Sequence, residues 1–263
     1  MKDTRNIISA LLLIIFFSSC EKVIDVKVKD ADKKYVIEGE ITDQQGGCQV
    51  LISQTKSFSD NNDFAGISGA KVTIADDAGV VTNLTENSSG IYKSNFTGTE
   101  GRKYILNVNI NGALFTATSR MPRVVPLDSV YVTDLSFLKD NNKWVNVIYN
   151  DPVGLGNSYR FVEYINGVKD KGIYITNDDL SDGRLTTNTL FSRANSEITK
   201  GDTIKVEMHC IDAPLYKYWF SLSQSATGET ETAAPSNPVT NITGDALGYF
   251  SAHTVRSKSV IVK

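Results

Sequence analysis

The residues best suited to chemistry in this chain are two histidines, His209 and His253, because nucleophilic catalysis needs a base beside a serine or a cysteine. A Ser-His-Asp triad is compatible with the composition, yet no Gly-x-Ser-x-Gly nucleophile elbow occurs. His209 falls on the polar side of an alternating strand pattern at 202–210, so we expect it to face solvent. The sequence therefore predicts no catalytic residue.

Three aspartates before a glycine, Asp178, Asp179 and Asp182, suggest a calcium loop at first sight. The spacing does not fit, because that loop has acids at positions one, three and five and glycine at six. Asp-Gly pairs are common in solvated turns, and we interpret 178–183 as such a turn. Cysteines and histidines are too few and too scattered for structural zinc, and no nucleotide-binding glycine motif occurs. We expect no metal and no cofactor.

Aromatic side chains offer a second kind of site, since a sugar can stack on Trp144, Trp219 or one of eleven tyrosines. Trp144 opens an alternating strand and Trp219 lies on the apolar side of a predicted helix, so core packing is the better interpretation of both. The long polar segment 226–241 is a better place for a ligand or partner, because binding residues concentrate on loops. No individual ligand-binding residue stands out.

Chemistry of a different kind is indicated at Cys20. Two basic residues precede an apolar run of eleven residues at 7–17, and Ser18-Ser19-Cys20 resembles a bacterial lipobox. Eleven residues are too few to span a bilayer, which takes about 20. We therefore predict a lipoprotein signal peptide over 1–19 and lipid attachment to Cys20. Phe17 stands where the lipobox usually has leucine, and an ordinary secretory signal is the alternative.

The composition limits the partners. Removing the 19 residues of the leader from 263 leaves 244, with 25 basic and 29 acidic residues and a net charge of −4. That length suits one or two domains. Nucleic acid is not expected as a partner, because its phosphates require clustered lysine and arginine and no such cluster appears. No second apolar run approaches membrane-spanning length, so the lipid on Cys20 is the membrane contact that we expect.

A period of two predicts that the body is built from β-strands. Residues 20–34 are dense in charge and are predicted to be a tether. Seven strands follow, at 35–41, 49–53, 70–75, 80–84, 90–96, 103–111 and 113–118, with a hairpin turn at Asn111-Gly112. Short strands at this spacing are typical of a β-sandwich. The first sandwich is therefore placed at 35–122, and the prolines at 122 and 126 mark its end.

A second sandwich is predicted over 123–263. Its strands are placed at 128–132, 143–149, 159–165, 168–175, 203–211 and 259–262. A short helix is predicted near 213–224, because Asp212 can cap it, Pro214 suits a first turn and apolar residues recur at helical spacing. The fold predicted is all-β: two consecutive immunoglobulin-like or transthyretin-like β-sandwich domains, with one short helix in the second.

Cys48 and Cys210 fall in different predicted domains. Export permits a disulfide, but bridge geometry is stringent and buried free cysteines are common. We favour free cysteines and keep the bridge as the alternative.

A series of short motifs follows in order along the chain. They lie at 20–25 (CEKVID), 35–43 (YVIEGEITD), 67–74, 121–130, 178–183, 235–241 and 248–250. Their order resembles the DUF4249 family of Bacteroidota lipoproteins over nearly the whole chain after the leader. Residues 66–118 also resemble the carboxypeptidase-regulatory, transthyretin-like sandwich.

This resemblance implies a location more than a reaction, since the biochemical role of the family is unassigned. Genes of such lipoproteins commonly neighbour TonB-dependent outer-membrane receptors. The implied protein is a non-catalytic lipoprotein, anchored at the periplasmic or extracellular face of the outer membrane, that assists such a receptor in nutrient capture or uptake. An adhesin module that binds glycan or peptide is the alternative, and a hydrolase is third.

Overall fold

The computed structural model of the protein describes residues 32–56, 65–135, 142–191, 198–227 and 236–263. Lys33–Lys263 forms one compact unit. The predicted signal peptide, Cys20, most of the predicted tether and residues 228–235 of the predicted long loop lie outside the described residues.

Within these ranges the chain forms seventeen strands and one helix. In chain order they are β1 (Tyr35–Thr42), β2 (Cys48–Gln54), β3 (Lys71–Asp76), β4 (Val81–Asn83), β5 (Thr85–Ser88), β6 (Ile91–Ser94), β7 (Lys103–Ile110), β8 (Ala113–Arg120), β9 (Ser129–Leu135), β10 (Asn142–Asn150), β11 (Ser158–Ile165), β12 (Val168–Lys169), β13 (Tyr174–Asn177), β14 (Leu185–Leu190), β15 (Thr203–Ile211), α1 (Ala213–Thr227), β16 (Ile242–Thr243) and β17 (Leu247–Ile261).

Three sheets contain these strands. The largest has nine strands in the order β12-β11-β15-β17-β1-β2-β6-β5, with β13 also paired to β11. A five-stranded sheet has the order β16-β8-β7-β3-β4, and a three-stranded sheet has the order β14-β10-β9. The last strand, β17, runs parallel to β1 from Val36 opposite Leu247 to Thr42 opposite His253, and antiparallel to β15 further along.

Each smaller sheet packs on part of the nine-stranded sheet and encloses a core. The first core combines apolar residues of β1, β2, β6 and β17 with those of the five-stranded sheet. The second combines those of β11 and β15 with the three-stranded sheet. Ala252 belongs to the first core, and Thr254, two positions on, pairs with Cys210 of the second. Because alternate strand residues share a face, both cores lie on one face of the large sheet.

The opposite face carries α1. Leu215, Tyr218 and Trp219 of the helix pack against Ile211 and Tyr249 of the sheet. The predicted cap is confirmed, since the Leu215 amide donates to Asp212 Oδ1 at 3.2 Å. The helix ends at Thr227, three residues beyond the predicted end.

The predicted fold class is confirmed: the protein is mostly-β and forms a sandwich, with one helix among the residues that the structure describes. The predicted closing strand at 259–262 is a strand as far as Ile261, but its predicted start is wrong, because it is the end of the fifteen-residue β17. The residues of β16 and of the first half of β17 belong to the segment predicted to form the second sandwich. In the structure, Ile242, Phe250 and Ala252 of these strands lie in the first core. Residues 248–254 are buried on both faces of the sheet, which removes the period-two signal.

Other differences from the predicted strands are local. The predicted strand at 168–175 is divided into β12 and β13, and neither β5 nor β14 was expected. β14 has the sequence LTTNTL and is an edge strand, so its alternation is weak. Cys48 and Cys210 are free and buried, one in each core, as favoured from the sequence. Burial raises the pKa of the Cys48 thiol to about 11, which keeps it protonated.

Gly248 is required where β17 meets β1. Its φ is +98°, and a Cβ there would lie 2.0 Å from the Ile37 carbonyl oxygen. We expect Gly248→Ala to lower the free energy of unfolding by at least about 2 kcal/mol more than Gly46→Ala, because overpacking adds to the conformational cost. Gly46 is the matched control, with φ +72° and no atom within 4 Å of its Cβ position. Urea denaturation of both variants measures the difference, and equal losses would contradict it.

Candidate functional site

Two loops meet at one end of the second sandwich. Residues 151–157 connect β10 to β11, and residues 178–184 connect β13 to β14. The backbone joins them, because the Asp151 amide donates to the Arg184 carbonyl at 2.9 Å and the Asp178 amide donates to the Asn157 carbonyl at 3.2 Å.

Asp178 fastens one loop to the other with its side chain. Its carboxylate accepts the Gly156 amide at 3.1 Å and the Asn157 amide at 2.8 Å. Its carbonyl accepts the amides of Ser181 and Asp182, both at 3.0 Å. Because Asp178 is buried and satisfies four backbone donors, it fixes both loops together.

Asp182 adds a further link, accepting the Gly154 amide at 2.6 Å. The first loop can turn tightly because Gly154 and Gly156 have φ values of 121° and 115°, which side chains disfavour. The Asn157 side chain donates to the Gly154 carbonyl at 3.0 Å and closes the loop on itself.

Asp151 completes a group of three carboxylates. Its Oδ1 accepts the Tyr159 hydroxyl, while its Oδ2 is buried and has no partner with hydrogen-bond geometry among the described residues. One oxygen each from Asp151, Asp178 and Asp182 lies within 4.8 Å of the others. At an effective dielectric of about 20, two unit charges 4.8 Å apart repel by about 3 kcal/mol.

The electrostatics of Asp151 reflect this crowding. Burial raises the pKa of its carboxyl, and the charges of Asp178 and Asp182 raise it further. Hydrogen bonds from the Tyr159 hydroxyl and the Gly183 amide lower this pKa, but the net shift of the Asp151 pKa is upward.

The interpretation of 178–183 as a solvated turn is therefore wrong for Asp178, which is buried, although Asp179 is exposed. No motif in the sequence marks this group, because the third carboxylate, Asp151, comes from a different loop. A sequence pattern for a calcium loop covers one continuous segment, so it cannot detect carboxylates that come from two segments.

Large aliphatic side chains project from the same two loops. Val153 and Leu180 are 89% and 91% exposed, and Leu155 is 73% exposed. Val153 lies against the second loop, since a Cβ on Gly183 would be 2.9 Å from its Cγ2. Beside Leu180 is a shallow cavity of about 310 Å³, whose lining includes Asn177, Arg184, Leu185 and Asn188.

The histidines lie elsewhere, on the α1 side of the large sheet. His209 was expected in solvent but is buried, because His253 stacks on it with ring centroids 4.5 Å apart. Burial, with the charge of His209, lowers the pKa of His253 to about 3. Burial also lowers the pKa of His209, so both histidines are expected to be neutral at physiological pH.

Ser251 stands next to His253, with its Oγ 2.9 Å from His253 Nδ1. Both side chains are at least 97% buried, so a substrate has no open approach to this pair. A nucleophile needs such an approach, and the pair is better interpreted as part of a buried polar network.

Aromatic residues on this side also have structural roles. Trp219 is buried under α1, as expected, and the Arg160 guanidinium lies 3.7 Å from its ring centroid. Trp144 is half-buried rather than in the core, and packs edge-on against the exposed Phe191 at 4.8 Å. The two rings do not form an open stacking platform together, because Trp144 lies in the three-stranded sheet and Trp219 lies on α1, on the other side of the large sheet.

Cys20, the predicted lipid-attachment residue, lies outside the described residues. α1 has fifteen residues, and within the described ranges no helix has the length and apolar character needed to cross a bilayer.

A buried acid at the far end of β11 from the two loops generates a pH-dependent prediction. Glu163 lies on the same face of β11 as Tyr159, 1% exposed, and burial together with the Asp170 charge raises its pKa from 4.5 to about 7. The folded state therefore keeps a proton that the unfolded state releases above pH 4.5. The resulting stability is complete below that pH and is lost as the pH rises through 7.

Replacing Glu163 by Gln should remove this loss. We expect the free energy of unfolding of Glu163→Gln, relative to the unchanged protein, to rise by about 2–3 kcal/mol between pH 5 and pH 8. Chemical denaturation across this range measures it, with Asp128→Asn as an exposed control. Parallel pH profiles for Glu163→Gln and the unchanged protein would contradict the prediction.

Comparisons with known proteins place the chain in a family. A family model described as a domain of unknown function, DUF4249, matches residues 21–259. A search of curated proteins finds no match. Two solved structures are similar at 11% identity: a two fibronectin type-III domain segment from chicken tenascin, covering 69% of this chain and 93% of that one with a TM-score of 0.24, and a cytokine receptor complex, covering 86% and 95% with a TM-score of 0.25.

These TM-scores are too low to indicate a relationship. The fold assignment is based on the strand pairing of the chain itself. The family match is strong evidence, because it spans almost the whole chain and agrees with the order of motifs in the sequence. The chain belongs to the DUF4249 family.

Proposed function

We propose that this protein is a non-catalytic lipoprotein, anchored to the outer membrane through Cys20, that binds a TonB-dependent receptor and assists nutrient capture or uptake. The anchor is supported by the lipobox-like Ser18-Ser19-Cys20. The choice of receptor is supported by the resemblance to Bacteroidota lipoproteins described above.

The observation that carries the binding proposal is the apolar tip, which we define as Val153, Leu155 and Leu180. Single exposed aliphatic residues are ordinary on a protein surface. Here three of them, each at least 73% exposed, project from two loops that carboxylates hold together. A fixed apolar group binds a partner at a lower entropic cost than a flexible one, because less freedom is lost on binding.

A direct ligand is the second candidate, and the cavity beside Leu180 favours it. Its lining combines the aliphatic Leu180 and Leu185 with the side chains of Asn177, Arg184 and Asn188. Two of its eight lining residues are aliphatic and six are polar, so it offers mainly hydrogen-bonding groups rather than the apolar walls usual in small-molecule sites. A glycan or peptide segment is the class of ligand that fits such a surface.

Lipid attachment is tested by labelling cells with an alkyne fatty acid and isolating the protein. We expect label on the unchanged protein and none on Cys20→Ala, since the acylated thiol is absent. Cys48→Ala is the control and should keep the label, because Cys48 is buried in the first core. Label that persists on Cys20→Ala would contradict the anchor.

Partner binding is tested by pull-down with the full-length acylated protein from outer membranes in mild detergent. We expect a TonB-dependent receptor with the unchanged chain, and at least a tenfold loss with Leu180→Asp, because a charge cannot be desolvated cheaply at an apolar contact. Val168→Asp is the matched control, since Val168 is 71% exposed on β12, away from the apolar tip.

Two results would count against the receptor proposal: recovery of no receptor, or equal recovery with Leu180→Asp. Saturable binding on a glycan and peptide array that Leu180→Asp abolishes would instead favour the second candidate.

A further inference from the structure

We propose that Asp151, Asp178 and Asp182 bind one Ca²⁺ ion, which joins the loops 151–157 and 178–184. The site does not depend on the proposed receptor. It was not expected from the sequence, because its ligands come from two separate loops.

The first argument is the unpartnered oxygen of Asp151. This side chain is 1% exposed, and its Oδ1 accepts the Tyr159 hydroxyl. The Gly183 amide is near enough to lower the pKa of the carboxyl, but the buried Oδ2 has no donor with hydrogen-bond geometry among the described residues. A buried carboxylate oxygen with no donor is unfavourable, and such groups in folded proteins call for an unseen ligand or proton. Asp151 also contributes an oxygen to the group of three, so its side chain is directed into that group.

The second argument is the absence of a compensating side chain. In the ranges that the structure describes, no lysine or arginine forms an ion pair with Asp151, Asp178 or Asp182. The buried hydroxyl of Ser181, in the same turn, also lacks a hydrogen-bond partner there. A divalent cation would neutralise the local excess of negative charge and would coordinate the oxygen atoms that lack partners.

Oxygen chemistry and distance favour Ca²⁺ among the common cations. Ca²⁺ binds carboxylate oxygens at about 2.3–2.6 Å, so two oxygens on one ion lie up to about 5 Å apart. The three oxygens here lie within 4.8 Å of one another. Zn²⁺ prefers cysteine and histidine, which do not occur in this group. Mg²⁺ uses shorter bonds of about 2.0–2.1 Å and usually keeps several waters.

The surrounding hydrogen bonds orient the ligands. Backbone amides of Gly154, Gly156 and Asn157 donate to Asp182 and Asp178, and the Tyr159 hydroxyl donates to Asp151. Donors of this kind hold the carboxylates of metal sites in position. A carboxylate oxygen has two lone pairs, so accepting one hydrogen bond leaves it able to coordinate the ion.

The test uses the purified full chain, freed of metal with a chelator and titrated with CaCl₂ by calorimetry. We expect one saturable site with a dissociation constant of about 10⁻⁴ to 10⁻³ M, the range of extracellular calcium modules. MgCl₂ should bind at least tenfold more weakly. Asp151→Asn should weaken Ca²⁺ binding at least tenfold, whereas Asp179→Asn, an exposed neighbour, should leave it unchanged.

A second measurement needs no variant, in case Asp151→Asn does not fold. Tb³⁺ replaces Ca²⁺ in oxygen sites, and Tyr159, which contacts Asp151, should sensitise its luminescence on excitation of tyrosine. We expect a Tb³⁺ signal that saturates and that CaCl₂ reverses. No saturable Ca²⁺ or Tb³⁺ binding to the unchanged chain would overturn the proposal, as would equal Ca²⁺ affinity of Asp151→Asn or an equal loss in Asp179→Asn.

Discussion

Strand β17 pairs with β1 on one side and with β15 on the other, and this double pairing makes one sheet out of what the chain order suggests are two domains. Both cores lie on the same face of that sheet, and α1 covers part of the other. Close backbone approach at Gly248 sets the parallel half of the pairing. Because the last strand completes both cores, we expect Lys33–Lys263 to fold as one cooperative body rather than as two independent sandwiches.

The loop pair at the end of the second sandwich combines opposing forces. Hydrogen bonds from backbone amides to Asp178 and Asp182 hold the loops together. Repulsion among these carboxylates and the buried Asp151 acts against them. A proton on Asp151 relieves the repulsion at low pH, and a cation would relieve it at neutral pH. The apolar tip of Val153, Leu155 and Leu180 lies on these same loops, so its order depends on how the charge is compensated.

Much of the fold was predictable, because alternation is explicit where a strand has one buried face. β1 and β7 are of this kind, and their predicted bounds agree with the structure to within one residue. The first half of β17 is buried on both faces and contains Gly248, Ser251 and Ala252, so no pattern marks it as a strand. His209 sits on the polar side of β15, yet His253 from another strand covers it.

The candidate site was less predictable from the sequence, because it depends on contacts between segments that are distant in the chain. Asp178 and Asp182 are close in the sequence, but Asp151 lies near them only because β10 pairs with β14 and β11 pairs with β13, which brings the two loops together. Exposure of Val153 and Leu180 likewise depends on tertiary packing, since an aliphatic residue in a loop is as easily buried as exposed. Sequence order supplies the residues, and the strand pairing supplies their proximity.

The central claim is that charge compensation at three carboxylates orders the loops that carry the apolar tip. Hydrogen exchange of the Gly154, Gly156 and Asn157 amides, measured on the full chain with and without CaCl₂, tests it directly. At 100 times the dissociation constant, Ca²⁺ should raise the free energy of opening of these amides by about 2.7 kcal/mol, while amides in the first core, such as that of Val50, change by much less. Exchange of the loop amides that is fast in both conditions, or that CaCl₂ leaves unaltered, would contradict the account.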